Sequence, residues 1–465
     1  MQIIPFKPVS CPRITANASN STFHDVLQYA ILLPSVILMK TGSKSRCNGL
    51  WDFRTQCSIR LSITNRYPEE ISSNHMISAH YDIVIIGGGP VGMALALALQ
   101  DTGISSLLLE ARGLPEKDED PRPLALSYGS HLILHRLGVW SGLTKKTPIT
   151  TIHISNRGSL GQTVLTPQDA GVPTLGFVVN FHDLFRSMHQ RLTASTSDYM
   201  AGAIVTRLDT AENCGTVYFN YQTEEQKVTA KLIVLADGGK LAQQLPDITY
   251  QSHDYHQFAV VGNVKAEKKQ SGVAYERFTA DGPIALLPNE EDFALVWTVS
   301  PEAIHQITAL NEADFLVRLH RHFGDRLGRF THTGKRSAFP LSLKYALNVT
   351  AQRVALIGNA AQTLHPVAGQ GFNLGLRDAF ELAQEAIDAE NALREIGTSA
   401  MLSNYRQKRL IDSGGGRFFT DSLIKLFSND NALLKHACGI GLTALNCTPP
   451  LKRFVARRMI FGARG

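Results

Sequence analysis

The stretch YDIVIIGGGPVGMALALAL, Tyr81 to Leu99, decides the fold. Ile83 to Ile86 form a short apolar, β-branched run, the pattern of a strand buried on both faces. Gly87, Gly89 and Gly92 follow as G-x-G-x-x-G, and a helical apolar pattern comes next. The first glycine permits a tight turn, the second lets a pyrophosphate approach the backbone, and the third lets the helix pack against the strand. The helix N-terminus offers unpaired N–H groups and the positive end of its dipole to phosphates. A second strand, SSLLLE, ends at Glu110, 18 residues after Gly92. That is the distance at which an acid accepts hydrogen bonds from a ribose. Glu110 as a plain strand-end acid is the alternative. Together these features indicate a dinucleotide site, without choosing between NAD and FAD.

Two later junctions narrow the choice. KLIVLADGG, Lys231 to Gly239, is a buried strand running into an Asp-Gly turn. RVALIG then leads into GNAAQTLHPVAGQGFNLGLRDA, Gly358 to Ala379, where small residues dominate. His365-Pro366 delays the helix, because proline biases the preceding residue away from helical geometry. Gly369, Gly371 and Gly375 leave the backbone bare, and the helix start near Phe372 and Asn373 presents N–H groups. Such a nest suits the electron-rich edge of a flat heterocycle such as isoalloxazine.

These three signals, in this order, resemble the group A flavin-dependent aromatic hydroxylases. DPRPLALSYGSHLILHRLGVW (Asp120–Trp140), YERFTADGPIALLP (Tyr275–Pro288), GKRSAFPL (Gly334–Leu341) and HPVAGQGFNLGLRDA (His365–Ala379) narrow the resemblance. They are similar to the aerobic ubiquinone-biosynthesis hydroxylases, and within these to the members acting on 2-polyprenyl-6-methoxyphenols. The resemblance covers about residues 80–465. It implies an α/β fold: a Rossmann-type FAD-binding domain, an inserted mixed antiparallel-sheet substrate domain and a C-terminal helical segment. It implies FAD as cofactor and NAD(P)H as co-substrate. Gly87, Gly89 and Gly92 would hold the pyrophosphate, Glu110 the adenosine ribose, and Arg122 the phosphates or ribityl chain. Asp237 would serve the FAD and NAD(P)H region and Asn359 the ribityl part. Pro366, Gly369, Gly371, Phe372 and Asn373 would line the flavin ring. Three positions depart from the pattern: Asn359 replaces an aspartate, Gln362 a histidine, and Gly239-Lys240-Leu241 a segment with serine and arginine.

The chemistry expected from such a cofactor is oxygen transfer through a flavin C4a-hydroperoxide to an electron-rich phenol, ortho or para to its hydroxyl, and the resemblance implies the para position. Water must be excluded. VYFNYQ, FAVVGNV, ALLP and FALVWTV are expected as antiparallel strands of a lid over the flavin. No base for the phenol is evident. His365 is the candidate nearest the ring in sequence, and Lys335 or Arg336 could stabilise a phenolate. The histidines, His332 among them, show no metal-ligand spacing, and no metal is required.

The 465 residues exceed one simple core. Six cysteines without C-x-x-C spacing suggest a reducing compartment and no disulfide framework. Residues 1–75 carry eight Lys/Arg against four Asp/Glu and lack periodicity. Their 14-residue apolar run from Val26 to Met39 is too short to span a membrane, which takes about 20. Residues 1–24 have a transit-peptide-like lack of acids. The preferred reading is translation from Met76, with 1–75 a non-native or disordered extension. The expected divisions beyond it are FAD-binding parts at 76–150, 231–250 and 351–412, mixed elements at 151–230 and the substrate sheet at 251–350. The last, 413–465, is a helical segment with eight Lys/Arg against two Asp/Glu. There Leu423, Phe427 and Phe419 fall on one helical face, and Lys452, Arg453, Arg457 and Arg458 interleave with apolar residues. This composition suits an anionic membrane surface or, equally, a core helix with a solvated face. Expected partners are a polyprenyl phenol, O2, a membrane contacted peripherally and a ubiquinone-biosynthesis protein complex, with no nucleic acid. A bacterial protein of this kind would sit on the cytoplasmic face of the inner membrane. The alternatives are an ortho-hydroxylating paralogue, a dehydrogenase or oxidase of the same fold, and a non-catalytic flavoprotein scaffold.

Overall fold

The computed structural model describes residues 78–113, 122–364, 369–427 and 432–464. The expected extension over 1–75 lies outside these residues. Strands and the longer helices are numbered in chain order.

The first sheet has eight strands. They are β1 (His80–Ile86), β2 (Ser106–Glu110), β8 (Asp198–Ala201), β9 (Ile204–Thr210), β10 (Gly215–Tyr221), β11 (Glu224–Leu235), β18 (Thr350–Ala351) and β19 (Val354–Leu356). Its spine runs β18-β19-β11-β1-β2-β8 and is parallel apart from the β18–β19 edge. Both faces are covered, so Ile83, Val84 and Ile85 are fully buried. β11 changes character along its length. Glu224–Ala230 pairs antiparallel with β10 and alternates in burial, whereas Ala230–Leu235 pairs parallel with β1 and is buried almost continuously. The expected division at 230/231 falls inside this one strand. VYFNYQ belongs here, in β10, and not in the lid. The alternating pattern gave strand character correctly, but a two-residue turn at Gln222-Thr223 commits it to β11.

A small three-stranded sheet, β3 (Pro123–Ser127), β7 (Gly176–Asn180) and β4 (Thr147–Ile149), sits in the order β3-β7-β4. The large sheet has nine strands. They are β5 (Thr151–Asn156), β6 (Gln162–Leu165), β12 (Tyr250–Ala266), β13 (Val273–Thr279), β14 (Gly282–Asn289), β15 (Asp292–Val299), β16 (Phe330–Thr333), β17 (Ser337–Ala346) and β20 (Gln362–Thr363). FAVVGNV, ALLP and FALVWTV fall in β12, β14 and β15, as expected for the lid. One face of this sheet packs Val260, Tyr275, Ile284 and Trp297 under two helices.

Those helices are α4 (Pro301–Ala309) and α5 (Glu312–Phe323). Before them come α1 (Pro90–Ala98), α2 (Tyr128–Arg136) and α3 (Phe181–Thr193). After them come α6 (Gln370–Asn391), α7 (Ser399–Phe427), α8 (Ala432–Cys447) and α9 (Pro449–Phe461). α7 runs without a break across the expected 412/413 division. α6 crosses α1 closely: a Cβ on Gly375 would stand 2.8 Å from the Val91 side chain. α6 and α7 are tied by buried charges. Arg409 reaches Asp378 at 2.6 Å and Asp412 at 2.8 Å, and Arg377 also reaches Asp412 at 2.8 Å.

The C-terminal helices pack inward. Phe427 stacks on Phe278 at 4.3 Å, and Leu423 joins the same cluster with Cys438 and Leu442. Lys452 pairs with Asp169 at 3.0 Å. Arg457 donates to the Ala170 carbonyl and Arg458 to the Ile411 carbonyl, each at 3.2 Å. The apolar face and most of the basic residues thus hold the segment to the body. Ile440 on α8 and Leu451, Arg453 and Phe454 on α9 are left exposed. No helix among the described residues is long and apolar enough to cross a membrane.

Candidate active site

The three glycine junctions, far apart in sequence, open on one cavity of about 920 Å3. Gly87, Gly89, Glu110, Arg122, Asp237, Asn359, Gly371 and Phe372 all line it. The large sheet closes the other side with Ala259, Val261, Val296, Phe339 and Leu341.

Gly87 has φ +110°, and a Cβ there would lie 2.6 Å from the Ala236 backbone, so the first turn admits only glycine. A Cβ on Gly92 would lie 2.0 Å from the Gly87 carbonyl oxygen. Gly92 therefore sets the approach of α1 to β1 and does not itself face the cavity. Gly89 and Gly371 differ from both: a Cβ on either meets nothing within 4 Å. Their missing side chains leave open space, with the N-termini of α1 and α6 beside it. Neither helix start carries a side-chain cap. Unpaired N–H groups at two helix starts, a cradle that side chains would fill, the acids Glu110 and Asp237 and the guanidiniums of Arg112 and Arg122 suit a dinucleotide with a flat ring.

Glu110 accepts from the Gly88 N–H at 2.6 Å and from the Arg112 backbone and Nε at 3.0 and 3.1 Å. The carboxylate is pinned at the strand end with its stem buried. Asp237 accepts from the N–H groups of Gly239 and Leu241, both at 2.9 Å, which shapes the second turn. Asn359 is exposed. Arg122 lies over the Phe181 ring at 5.3 Å. Gln362 reaches Ser413 at 3.1 Å.

Three expected site residues are placed otherwise. Asn373 is buried and does not line the cavity. Its amide donates to the Ala125 and Gly369 carbonyls, and its oxygen accepts from the Ser127 N–H and Ser130 hydroxyl. It fastens β3 and α2 to the start of α6. Gly369 takes a left-handed conformation, φ +60°, as the N-cap of α6, is not among the cavity-lining residues, and its carbonyl accepts from Asn373 at 2.7 Å. Arg336 is on the wrong face of the large sheet. Its guanidinium donates to the Leu310 carbonyl at 2.7 Å and covers the Phe315 ring at 4.4 Å. Side chains alternate along a strand, so with Ser337 paired to cavity-lining Val261, Arg336 points to α4 and α5. His365 and Pro366 lie outside the described residues. His332, read as a non-ligand, pairs with Glu312 at 2.7 Å on the surface.

Other contributors were not singled out from sequence. Gly358, φ +59°, lines the cavity and donates its N–H to Asp378 at 2.9 Å. Burial pushes the Asp378 carboxyl up to about 6, against the downward pull of Arg409 and the Gly358 N–H. The Arg-Asp sequence in GLRDA was the available signal. Arg112, adjacent to Glu110, also lines the cavity.

Comparison with known proteins agrees with this geometry. The family model described as FAD binding domain matches residues 80–411. The chain belongs to that family. It is 33% identical over 385 residues to ubiquinone hydroxylase UbiL of Rhodospirillum rubrum, covering 81% of this chain and 88% of that protein. It is 30% identical over 383 residues to 3-demethoxyubiquinol 3-hydroxylase of Escherichia coli, covering 80% and 96%. The fold matches the crystal structure of p-nitrophenol 4-monooxygenase PnpA from Pseudomonas putida with a TM-score of 0.68. That match has 16% identity and covers 83% of this chain and all of that one. The protein is an FAD-dependent monooxygenase with the expected α/β architecture. When bound, FAD would supply the redox chemistry and oxygen activation. Gly89, Gly371 and the two helix starts would hold it, with Glu110 at its adenosine ribose and Arg122 at its phosphates or ribityl chain.

Proposed function

We propose that this enzyme hydroxylates a polyprenyl phenol of ubiquinone biosynthesis, with NAD(P)H as reductant and O2 as oxygen donor. The substrate proposed is a 2-polyprenyl-6-methoxyphenol, and the position is para to its hydroxyl. The observation that carries this reading is the cavity itself. It joins a dinucleotide cradle to an apolar wall of Ala259, Val261, Val296, Phe339 and Leu341. Such a wall excludes water from the oxygen-transfer step and accepts an apolar ring. The named relatives support the pathway, since both act in ubiquinone chemistry by their names. Attack at a different ring position is the second reading, favoured by the Escherichia coli relative.

A substrate this apolar does not travel through water. Ile440, Leu451, Phe454 and Arg453 offer an exposed apolar surface with one cation, suited to peripheral contact with the membrane that holds the substrate. In a bacterial cell this would be the cytoplasmic face of the inner membrane. Membership of a biosynthetic complex belongs to the same proposal. The test is deletion followed by analysis of the lipid that accumulates. A 2-polyprenyl-6-methoxyphenol supports para attack, a demethoxylated quinone supports the second reading, and unchanged ubiquinone overturns both.

A further inference from the structure

One residue row of the large sheet leads from the cavity to a buried acid that nothing above employs. The register pairs Val261 with Val296, Val296 with Ala285, Ala285 with Glu276, and Glu276 with Ile154. All five lie on one face. Strands are about 4.8 Å apart, so Glu276 stands roughly 10 Å along this row from cavity-lining Val296. The residue between them is alanine, which leaves the way low. β12, β15, β14, β13 and β5 are interior strands of a covered sheet. Nevertheless each member of the row keeps part of its surface accessible, whereas Val260, Trp297, Ile284 and Tyr275 on the opposite face are buried. Val261 and Val296 line the cavity, and the partly accessible row runs on from them through Ala285 to Glu276.

The Glu276 stem is partly accessible, but its Oε1 is buried and has no hydrogen-bond partner. Its same-face neighbours are Ala285, Ile154, Ala274 and Phe278, none of them titratable. Beyond these lie the apolar clusters built on Phe427, Cys438 and Leu442 and on Ala456 and Ile460. An unpartnered carboxyl oxygen in such surroundings costs stability unless something else satisfies it.

We propose that Glu276 is the base for the substrate hydroxyl. The phenol O–H bond breaks, its electron pair stays on the phenol oxygen, and the proton bonds to a Glu276 carboxyl oxygen. The resulting phenolate directs oxygen to the ring more strongly than the neutral phenol does. Burial pushes the Glu276 carboxyl up to about 8. That brings it near the phenol range of about 10, where proton exchange between the two is efficient. The inference rests on the phenol-hydroxylase reading.

The test uses FAD-loaded full-length protein, 2-methoxy-6-prenylphenol and a ring-fluorinated, more acidic analogue already ionised at the assay pH. Glu276→Gln is expected to retain FAD and bind the phenol with KM little changed, while kcat falls about 100-fold. With the ionised analogue the deficit should shrink to about threefold or less, because no proton remains to be removed. An equal loss with both substrates, or no loss with either, overturns the proposal. If wild-type protein binds the phenol but never converts it, the hydroxylase reading falls and the infrared difference spectrum still decides. The Glu276 carboxyl band should shift when the phenol binds and be missing from Glu276→Gln; a band that the phenol leaves unmoved overturns the proposal. A wild type that binds no phenol overturns both.

Discussion

Glycines of one motif do separable work. Gly89 has φ −68° and ψ 171°, open to any residue, and its Cβ would meet nothing. Gly89→Val should leave the melting temperature of the FAD-free protein nearly unchanged and abolish the yellow colour of the purified protein. Gly92→Val should fail differently. It drives a side chain into the Gly87 carbonyl and should cost about 3 kcal/mol or more, read by urea denaturation. If both variants lose stability alike, the division between cofactor and packing glycines is wrong. Glu276 gives a third outcome at this scale. Its folded carboxyl is raised from 4.5 to about 8, so the folded state prefers it neutral. Stability from this group is intact below pH 4.5 and falls as pH rises toward 8, since the unfolded chain ionises first. Glu276→Gln should therefore melt higher than wild type at pH 8 and equally at pH 4.5. A constant difference across that range would contradict the shifted titration.

Between elements, the buried Arg409 links α7 to Asp378 of α6, and Asp378 holds the Gly358 turn at the cavity edge. Arg409→Met leaves buried Asp378 without its guanidinium, while Asp412 keeps Arg377, and should cost about 3–5 kcal/mol at pH 7. Arg409→Met with Asp378→Asn should cost less than Arg409→Met alone, because the stranded charge is gone; chemical denaturation of both single variants and the double reads the coupling. The helix patterns at this scale were legible from spacing, but their faces were not. Leu423 and Phe427 have the same period whether they meet a membrane or Phe278. Strand character was legible in VYFNYQ too, but its partner was not, because pairing depends on the turn at Gln222-Thr223.

For the whole molecule, the cavity is walled by residues from Ile86 to Phe372, so bound FAD would bridge both large sheets. A ligand held only by the folded state should stabilise it by about 1.4 kcal/mol per tenfold rise in free concentration above Kd. Thermal melts of the FAD-free protein across a titration of FAD should rise without a plateau. A melting temperature indifferent to FAD would sink the assignment of this cavity. Asn373 likewise ties the start of α6 to residues 125–130, more than 240 residues earlier, and so could be mistaken for a ring contact.

The sequence by itself determined the strands, the glycine turns and the acid at Glu110, because apolar runs, glycine spacing and a strand-end position are local patterns. The kind of cofactor came from the resemblance carried by all three glycine junctions together, since the first turn alone suits NAD and FAD equally. Only the tertiary structure decided which face each strand turns to the cavity, and so removed Arg336 from the site and brought Glu276 toward it. Register is a relation between distant segments: a shift of one residue reverses every side chain, and no local pattern carries that information.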